Sequence, residues 1–384
     1  VEQIERWRGE PAVQAAAAAF GDGAAVVETA IAIQQIPAPT FEEARRAAFV
    51  AGRMRELGLA EVEIDPVGNA WGRRPGRGGG PGLLIAAHLD TVFPASTDLT
   101  IRREGGRIYG PGVGDNSLGV AALLHLAGAM QRHNLPNAGD IWFVANVGEE
   151  GLGDLRGMRA AVDRLAKRIG AALALEGCDF GRILHEAIGV RRFRISAAAP
   201  GGHSWSDFGA PSAVHGLVRL AACLTDLRLP PAPKCSFNIG VIEGGRSVNT
   251  IAQEATLLLD LRATAADALA GLVAQVEALV AGARGENPGV TFSIDTVGDR
   301  PAGGIPRTHP LVRLAAAAAA AAGAAVSYEA GSTDANIPLS RGIPAVCVAV
   351  GDGDNAHRLD EYIEPRRVGD GMRALLWLAL AASE

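Results

Sequence analysis

Two close pairs and three single residues in this chain have types and spacings that suit metal-assisted hydrolysis. His88-Leu89-Asp90 closes the apolar run Gly82-Leu-Leu-Ile-Ala-Ala-His-Leu-Asp90. In a strand, positions i and i+2 face the same way, so this imidazole and carboxylate stand side by side. A histidine that ligates a metal needs an acceptor for its other ring N–H, and Asp90 is placed to supply one. Alone, the pair reads equally well as a hydrogen-bonded histidine beside a capping aspartate. Gly148-Glu149-Glu150-Gly151 follows a second apolar run, Ile141 to Val147. Adjacent carboxylates repel unless a cation or a shared proton compensates. Because neighbouring side chains diverge, one can hold a metal while the other acts as general base on a water. Two solvated loop acids are the ordinary reading.

The single residues are Asp115, Glu176 and His357. Asp115 lies in Gly110-Pro-Gly-Val-Gly114-Asp115-Asn-Ser-Leu-Gly119, a glycine-rich turn that leads into a helix. Its glycine spacing does not give G-x-G-x-x-G and no G-K-[ST] follows, so neither nucleotide motif is met. A helix N-cap is the competing role for Asp115. Glu176 ends the apolar run Ala171 to Leu175, and His357 follows the run Ala345 to Val350. Each is unremarkable by itself. Together, one candidate ligand lies just beyond each of several strands, and this coincidence favours a metal site over five separate ordinary roles. Histidine and carboxylate donors suit zinc, with cobalt or manganese possible.

The elements that must position these residues alternate. Helices are expected over residues 11 to 33, 41 to 57 and 118 to 131, and strands over 82 to 90, 141 to 147 and 171 to 175. That α/β order implies a mostly parallel sheet covered by helices, with functional residues gathered at the carboxyl ends of its strands. The pattern changes near Ile188. Strand 190 to 198, helix 211 to 227, strands 235 to 243 and 251 to 262, helix 265 to 283 and strand 290 to 297 have the ferredoxin-like order. A helix at 310 to 325 and a strand at 345 to 350 return to the first style. The expected organisation is a catalytic domain in two parts, 1–188 and 300–384, with an α+β domain inserted at 189–299.

A chain of 384 residues with 48% hydrophobic and 20% charged residues can bury more than one core. The formal net charge of -6 gives no general attraction to phosphate backbones or anionic membranes, so no nucleic-acid or membrane partner is expected. Four cysteines, at 178, 223, 235 and 347, form no C-x-x-C pair. Disulfides are not expected, and a reducing cytoplasm fits best. The run Leu314 to Val326 is mostly alanine and too short for a bilayer, and Val-Glu-Gln-Ile-Glu-Arg lacks the order of a secretory signal.

The residues just named, in order, resemble the co-catalytic zinc metallopeptidase family of aminoacylases, carboxypeptidase G and peptidase T. The resemblance runs through His88-x-Asp90, Gly114-Asp115-Asn116, Glu149-Glu150-Gly151, Glu176, Gly201-Gly202-His203-Ser204, Asn249-Thr250-Ile251, Asp260-Leu261-Arg262 and His357. It implies a zinc-exopeptidase-like catalytic domain with an inserted ferredoxin-like lid and dimerisation domain. It also implies two divalent metal ions. Asp115 would bridge them, His88 and Glu176 would complete one site, Glu150 and His357 the other, Glu149 would be the base, and Asp90 would orient His88.

By the same resemblance His203 reaches the active site of a partner subunit in a homodimer, where it can stabilise an oxyanion. Asn249 and Arg262 would bind substrate. Arginine recognises a carboxylate bidentately, as an enzyme cutting beside a free α-carboxylate requires. Gly331-Ser332-Thr333-Asp334 looks like the family's substrate loop, which adds Ser332. Ser204 is no serine-hydrolase nucleophile, because Ser206 stands where G-x-S-x-G needs glycine. The expected reaction is hydrolysis of an amide bond in a small peptide or N-acyl amino acid. The rival readings are another hydrolase on this scaffold, such as a deaminase, and a binding protein that keeps only the fold. Subclass cues conflict: glutamate at 176 resembles carboxypeptidases and aminoacylases, whereas the run from Ser332 to Asn336 looks like peptidase T.

Overall fold

The computed structural model describes residues 2–165 and 167–384. It divides into two compact units, one comprising residues up to Ala187 together with Gly304–Glu384, the other Ile188–Gly303.

The first unit is built on a mixed sheet whose strand order is Ala60–Ile64, Ala70–Arg74, Ile141–Asn146, Gly82–His88, Ile169–Glu176, Ala345–Ala349 and Arg182–Ala187. Its centre is parallel, from Ile141–Asn146 through Ala345–Ala349. These strands read as continuous apolar runs because both faces are covered. One face packs Leu83, Ile85, Phe143 and Leu173 against helices that include Gly119–Arg132 and Val368–Ala382. The other packs Leu84, Trp142, Val144 and Ala172 against Arg156–Leu165.

Antiparallel pairs flank this centre: Ala60–Ile64 and Ala70–Arg74 pair as neighbours along the chain, and Arg182–Ala187 runs against Ala345–Ala349, while Ser327–Gly331 pairs parallel with Arg182–Ala187. The parallel pairing expected from the α/β order therefore holds across the centre and again between Arg182–Ala187 and Ser327–Gly331, and gives way to antiparallel pairing at the other junctions. The short connection between residues 64 and 70 holds no crossover helix, and without one neighbouring strands must run antiparallel.

The expected helix at 11 to 33 is two helices, Pro11–Ala18 and Ala24–Gln34. The break falls at Gly21 and Gly23, both with positive φ, and a Cβ on Gly23 would meet the Val368 side chain at 2.7 Å. The second unit is a four-stranded antiparallel sheet ordered Cys235–Gly244, Glu254–Ala263, Gly189–Ala198 and Thr291–Arg300, covered by helices Ala213–Thr225 and Ala266–Glu286. That order is the ferredoxin-like one. Helix Ala266–Glu286 is, by length and composition alone, apolar enough to cross a membrane. Its Leu269, Leu272, Val276 and Val280 form a stripe at helical spacing that packs with Phe193, Leu257 and Leu259 of the sheet, as in a helix that covers a sheet with one face.

One packed histidine has a consequence for stability. His125, on helix Gly119–Arg132, has Nε2 2.8 Å from Thr29 Oγ1. Burial, helped by Arg132 and Arg53, lowers its pKa to about 4. The folded protein therefore keeps this ring neutral where the unfolded chain, near 6.5, takes up a proton. Stability from this residue is complete above pH 6.5 and is lost as pH falls toward 4. With a chelator present, wild type should lose unfolding free energy faster than His125→Gln across this range, by up to roughly 1.4 kcal/mol per pH unit. Parallel curves for the two proteins in urea melts at pH 7, 6 and 5 would contradict this.

Candidate metal centre

His88 is the last residue of the strand Gly82–His88, and Glu176 is the last of its parallel neighbour Ile169–Glu176. Glu149 and Glu150 leave the next strand, Ile141–Asn146, and His357 lies beyond Ala345–Ala349. Parallel pairing puts all four strand ends on one side of the sheet, so residues far apart in sequence meet in space.

Asp115 arrives by another route. Its loop precedes helix Gly119–Arg132, and the Asn116 side chain donates to the carbonyl of Leu175 at 2.7 Å, fastening the turn to the strand that carries Glu176. Gly112 has φ 72, and a Cβ there would meet Thr91 at 2.9 Å, so the turn requires glycine.

The Asp115 carboxylate lies between two imidazoles. Its Oδ1 is 3.2 Å from His88 Nε2, and its Oδ2 is 3.1 Å from His357 Nε2. Glu176 Oε2 is 3.7 Å from His88 Nε2, and Glu150 Oε1 is 3.0 Å from His357 Nε2. Among the described residues, three overlapping groups of donor atoms, each within 4.8 Å, follow: His88, Asp115 and Glu176; Asp115, Glu150 and His357; His88, Glu149 and Glu150. Glu149 and Glu150 are each only 6% exposed.

This donor set fits divalent cations. The His88 Nδ1 lies 3.1 Å from the backbone carbonyl of Asp90; with Nδ1–H donating there, the Nε2 lone pair faces Asp115 and Glu176. Carboxylate pairs within 4.8 Å, namely Glu149 with Glu150, Asp115 with Glu176 and Asp115 with Glu150, repel. At an effective dielectric of about 20 each such pair costs roughly 3 kcal/mol.

The same field acts on the histidines. Burial would lower the pKa of His88, but Asp115, Asp90 and Glu176 raise it well above the ordinary value. Hydrogen bonds to Asp115 and Glu150 carry His357 up to about 10. Burial pushes Glu176 up to about 7, and Asp115, although buried, is held well below the usual carboxylate range by His357 and His88. Protons on two rings compensate only part of this charge; two divalent cations would compensate more.

Asp90 does more than the strand pattern implies. Its carboxylate stands 3.6 Å from His88 Nδ1, farther than its own carbonyl oxygen. The carboxylate oxygens accept from the backbone N–H groups of Glu149 and Glu150 at 3.0 and 2.9 Å and from the Thr40 hydroxyl at 2.9 Å. It therefore fixes the loop that carries Glu149 and Glu150 as well as facing the histidine.

Three further supports were not legible in the sequence. Buried Glu43 accepts from Gly148 N–H and from Arg156, buried Arg46 donates to the carbonyls of Ile36 and Leu89, and Glu361 accepts from the Asp115 loop. Their partners are mostly backbone groups, which leave no mark on residue type.

Ser332 lies just after strand Ser327–Gly331, in the segment where buried Asp334 accepts from Asn146 at 2.7 Å. His203, Asn249 and Arg262 lie in the second unit. Residues Gly202 and His203 pair with Ile251 and Thr250, and Ser204 N–H donates to the Asn249 carbonyl. His203 Nδ1 accepts from the N–H groups of Trp205 and Ser206 at 3.2 and 3.3 Å, which leaves Nε2 to carry the ring proton as a donor. Arg262 Nε donates to Asp260 at 2.8 Å, and Asn249 Oδ1 accepts from Ser247.

A model described as peptidase family M20/M25/M40 matches residues 84–381. The succinyl-diaminopimelate desuccinylase of Corynebacterium glutamicum is 25% identical, over 87% of this chain and 90% of its own length. The putative succinyl-diaminopimelate desuccinylase DapE of Mycobacterium tuberculosis is 28% identical, over 88% of this chain and 93% of its own. Among solved structures, aminopeptidase PepT from Bacillus cereus superposes with a TM-score of 0.77 at 21% identity, covering 94% of this chain and 98% of that one.

Proposed function

The chain belongs to peptidase family M20/M25/M40 and is a hydrolase, and from that premise we propose that it cleaves an amide bond in a small N-acyl amino acid or short peptide, using two divalent cations held around Asp115. The carrying observation is the aspartate between two histidines, with one carboxylate oxygen facing each Nε2 at 3.2 and 3.1 Å. His88 and Glu176 would complete one site and Glu150 and His357 the other. Zinc suits these donors, and cobalt or manganese are the alternatives.

When bound, the cations polarise the amide carbonyl and make water a stronger acid. Glu149 takes the water proton and delivers it to the leaving nitrogen. Its loop is held by Asp90 through two backbone N–H groups, so the main chain that carries the carboxylate is already fixed. His203 donates from Nε2 to the developing oxyanion. Asn249, Arg262 and Ser332 bind the rest of the substrate, with Arg262 offered to a free carboxylate. The test is turnover by the metal-loaded protein on a panel of N-acyl amino acids and short peptides. Hydrolysis of at least one class is expected; none, with both metals present, would overturn the proposal.

His203 serves a neighbouring copy in a homodimer on this reading. Mixing inactive His203→Ala subunits with inactive Glu149→Gln subunits should then restore activity. Each mixed dimer holds one site with both residues intact, which gives about a quarter of wild-type turnover after random exchange. No recovery despite demonstrated exchange, or a fully active monomer, would exclude a shared site.

A further inference from the structure

We infer that Glu361 is a positioning residue that sets the distance between Asp115 and His357 by clamping the glycine-rich loop to the segment that carries the histidine. The inference rests on the reading of Asp115 as a metal ligand and adds a residue to it. Glu361 is 1% exposed, and its carboxylate faces backbone rather than a cationic side chain. Oε2 accepts from Gly112 N–H at 2.7 Å, while Oε1 accepts from Gly114 and Asp115 N–H, both at 2.8 Å. Its main-chain carbonyl accepts a further N–H, that of Gly110, at 2.9 Å. A single residue thus gathers N–H groups along the whole turn from 110 to 115.

Both ends of the clamp matter. Glu361 lies four positions after His357, and its own N–H donates to the Arg358 carbonyl at 3.1 Å, so the segment between them is short and closed. The following strand Tyr362–Glu364 pairs with Arg107–Tyr109, which leads directly into the turn. Glycine at 114 permits the close approach, since a Cβ there would stand 3.1 Å from Glu361 Oε1 and 2.6 Å from Cys178 Sγ. With both oxygens engaged by backbone, Glu361 acts through Asp115 and His357 and is not itself a ligand.

The test compares wild type, Glu361→Gln, Glu361→Asp and Asp115→Ala by competition for zinc against a chromophoric chelator, together with cobalt absorption spectra and apo-protein melting. Glutamine turns an N–H donor toward Gly112 N–H. It should weaken affinity for both metals by roughly 10- to 100-fold, the usual effect of losing an outer partner. The cobalt spectrum should change, and turnover should recover in excess metal. Glu361→Asp keeps the charge and should fall between; it also serves if the glutamine variant does not fold. If the Glu361 variants melt earlier but bind zinc and give the cobalt spectrum of wild type, the residue is merely structural and the inference is overturned. If Asp115→Ala itself binds both metals normally, the underlying reading of Asp115 fails instead.

Discussion

Glu149→Gln will bind both metals as wild type does and turn over amide substrates slower by about 10²- to 10⁴-fold, the range that a positioned general base contributes. The substitution keeps the shape and removes the basic oxygen. The loop itself should hold, because Asp90 grips it by the N–H groups of residues 149 and 150, which the change does not touch. Retained metal with lost kcat separates this residue from its neighbour. Glu150 Oε1 lies 3.0 Å from His357 Nε2 in the donor group with Asp115, so Glu150→Gln should lose metal affinity first. A metal-loaded Glu149→Gln enzyme with near-normal kcat would remove Glu149 from the mechanism.

Asp115→Ala should have the largest effect on metal content. Its two oxygens face different histidines, so its loss takes a ligand from each cation together. The affinity of both sites should fall by more than the roughly 10- to 100-fold that an outer partner accounts for. Glu176→Ala and His357→Ala each touch one group and should leave the other site the stronger. Metal analysis by mass spectrometry after equilibrium dialysis reads this directly. One full site and normal catalysis in Asp115→Ala would show that the carboxylate does not bridge.

The carboxyl ends of the central strands were legible because buried parallel strands write continuous apolar runs, and a polar residue ending such a run stands out. His88 and Glu176 are of that kind. Glu149 and Glu150 were visible as the first charged residues beyond theirs, and His357 as the first histidine beyond its run, past Asp352 and Asp354. The ferredoxin-like unit was legible from the order of its elements. The flanking strands Ala60–Ile64 and Arg182–Ala187 were not, since Glu61, Glu63, Arg182 and Glu186 interrupt them with charge and neither reads as an apolar run.

The small sheet formed by Arg102–Glu104, Arg107–Tyr109, Tyr362–Glu364 and Asp352–Asp354 was also missed. Its strands are three residues each, too short for any period to register. Yet that sheet carries Glu361 to the Asp115 turn. Asp90 shows a subtler limit. Spacing places it beside His88, but its contacts with residues 149 and 150 depend on the pairing of separate strands.

The most direct measurement is an anomalous difference map from crystals grown with zinc, recorded on both sides of the zinc edge. Two peaks are expected with Asp115 between them, one contacted by His88 and Glu176 and the other by Glu150 and His357, with Glu149 outside both coordination spheres. A single peak, or zinc bound elsewhere while these residues keep only one another, would contradict this.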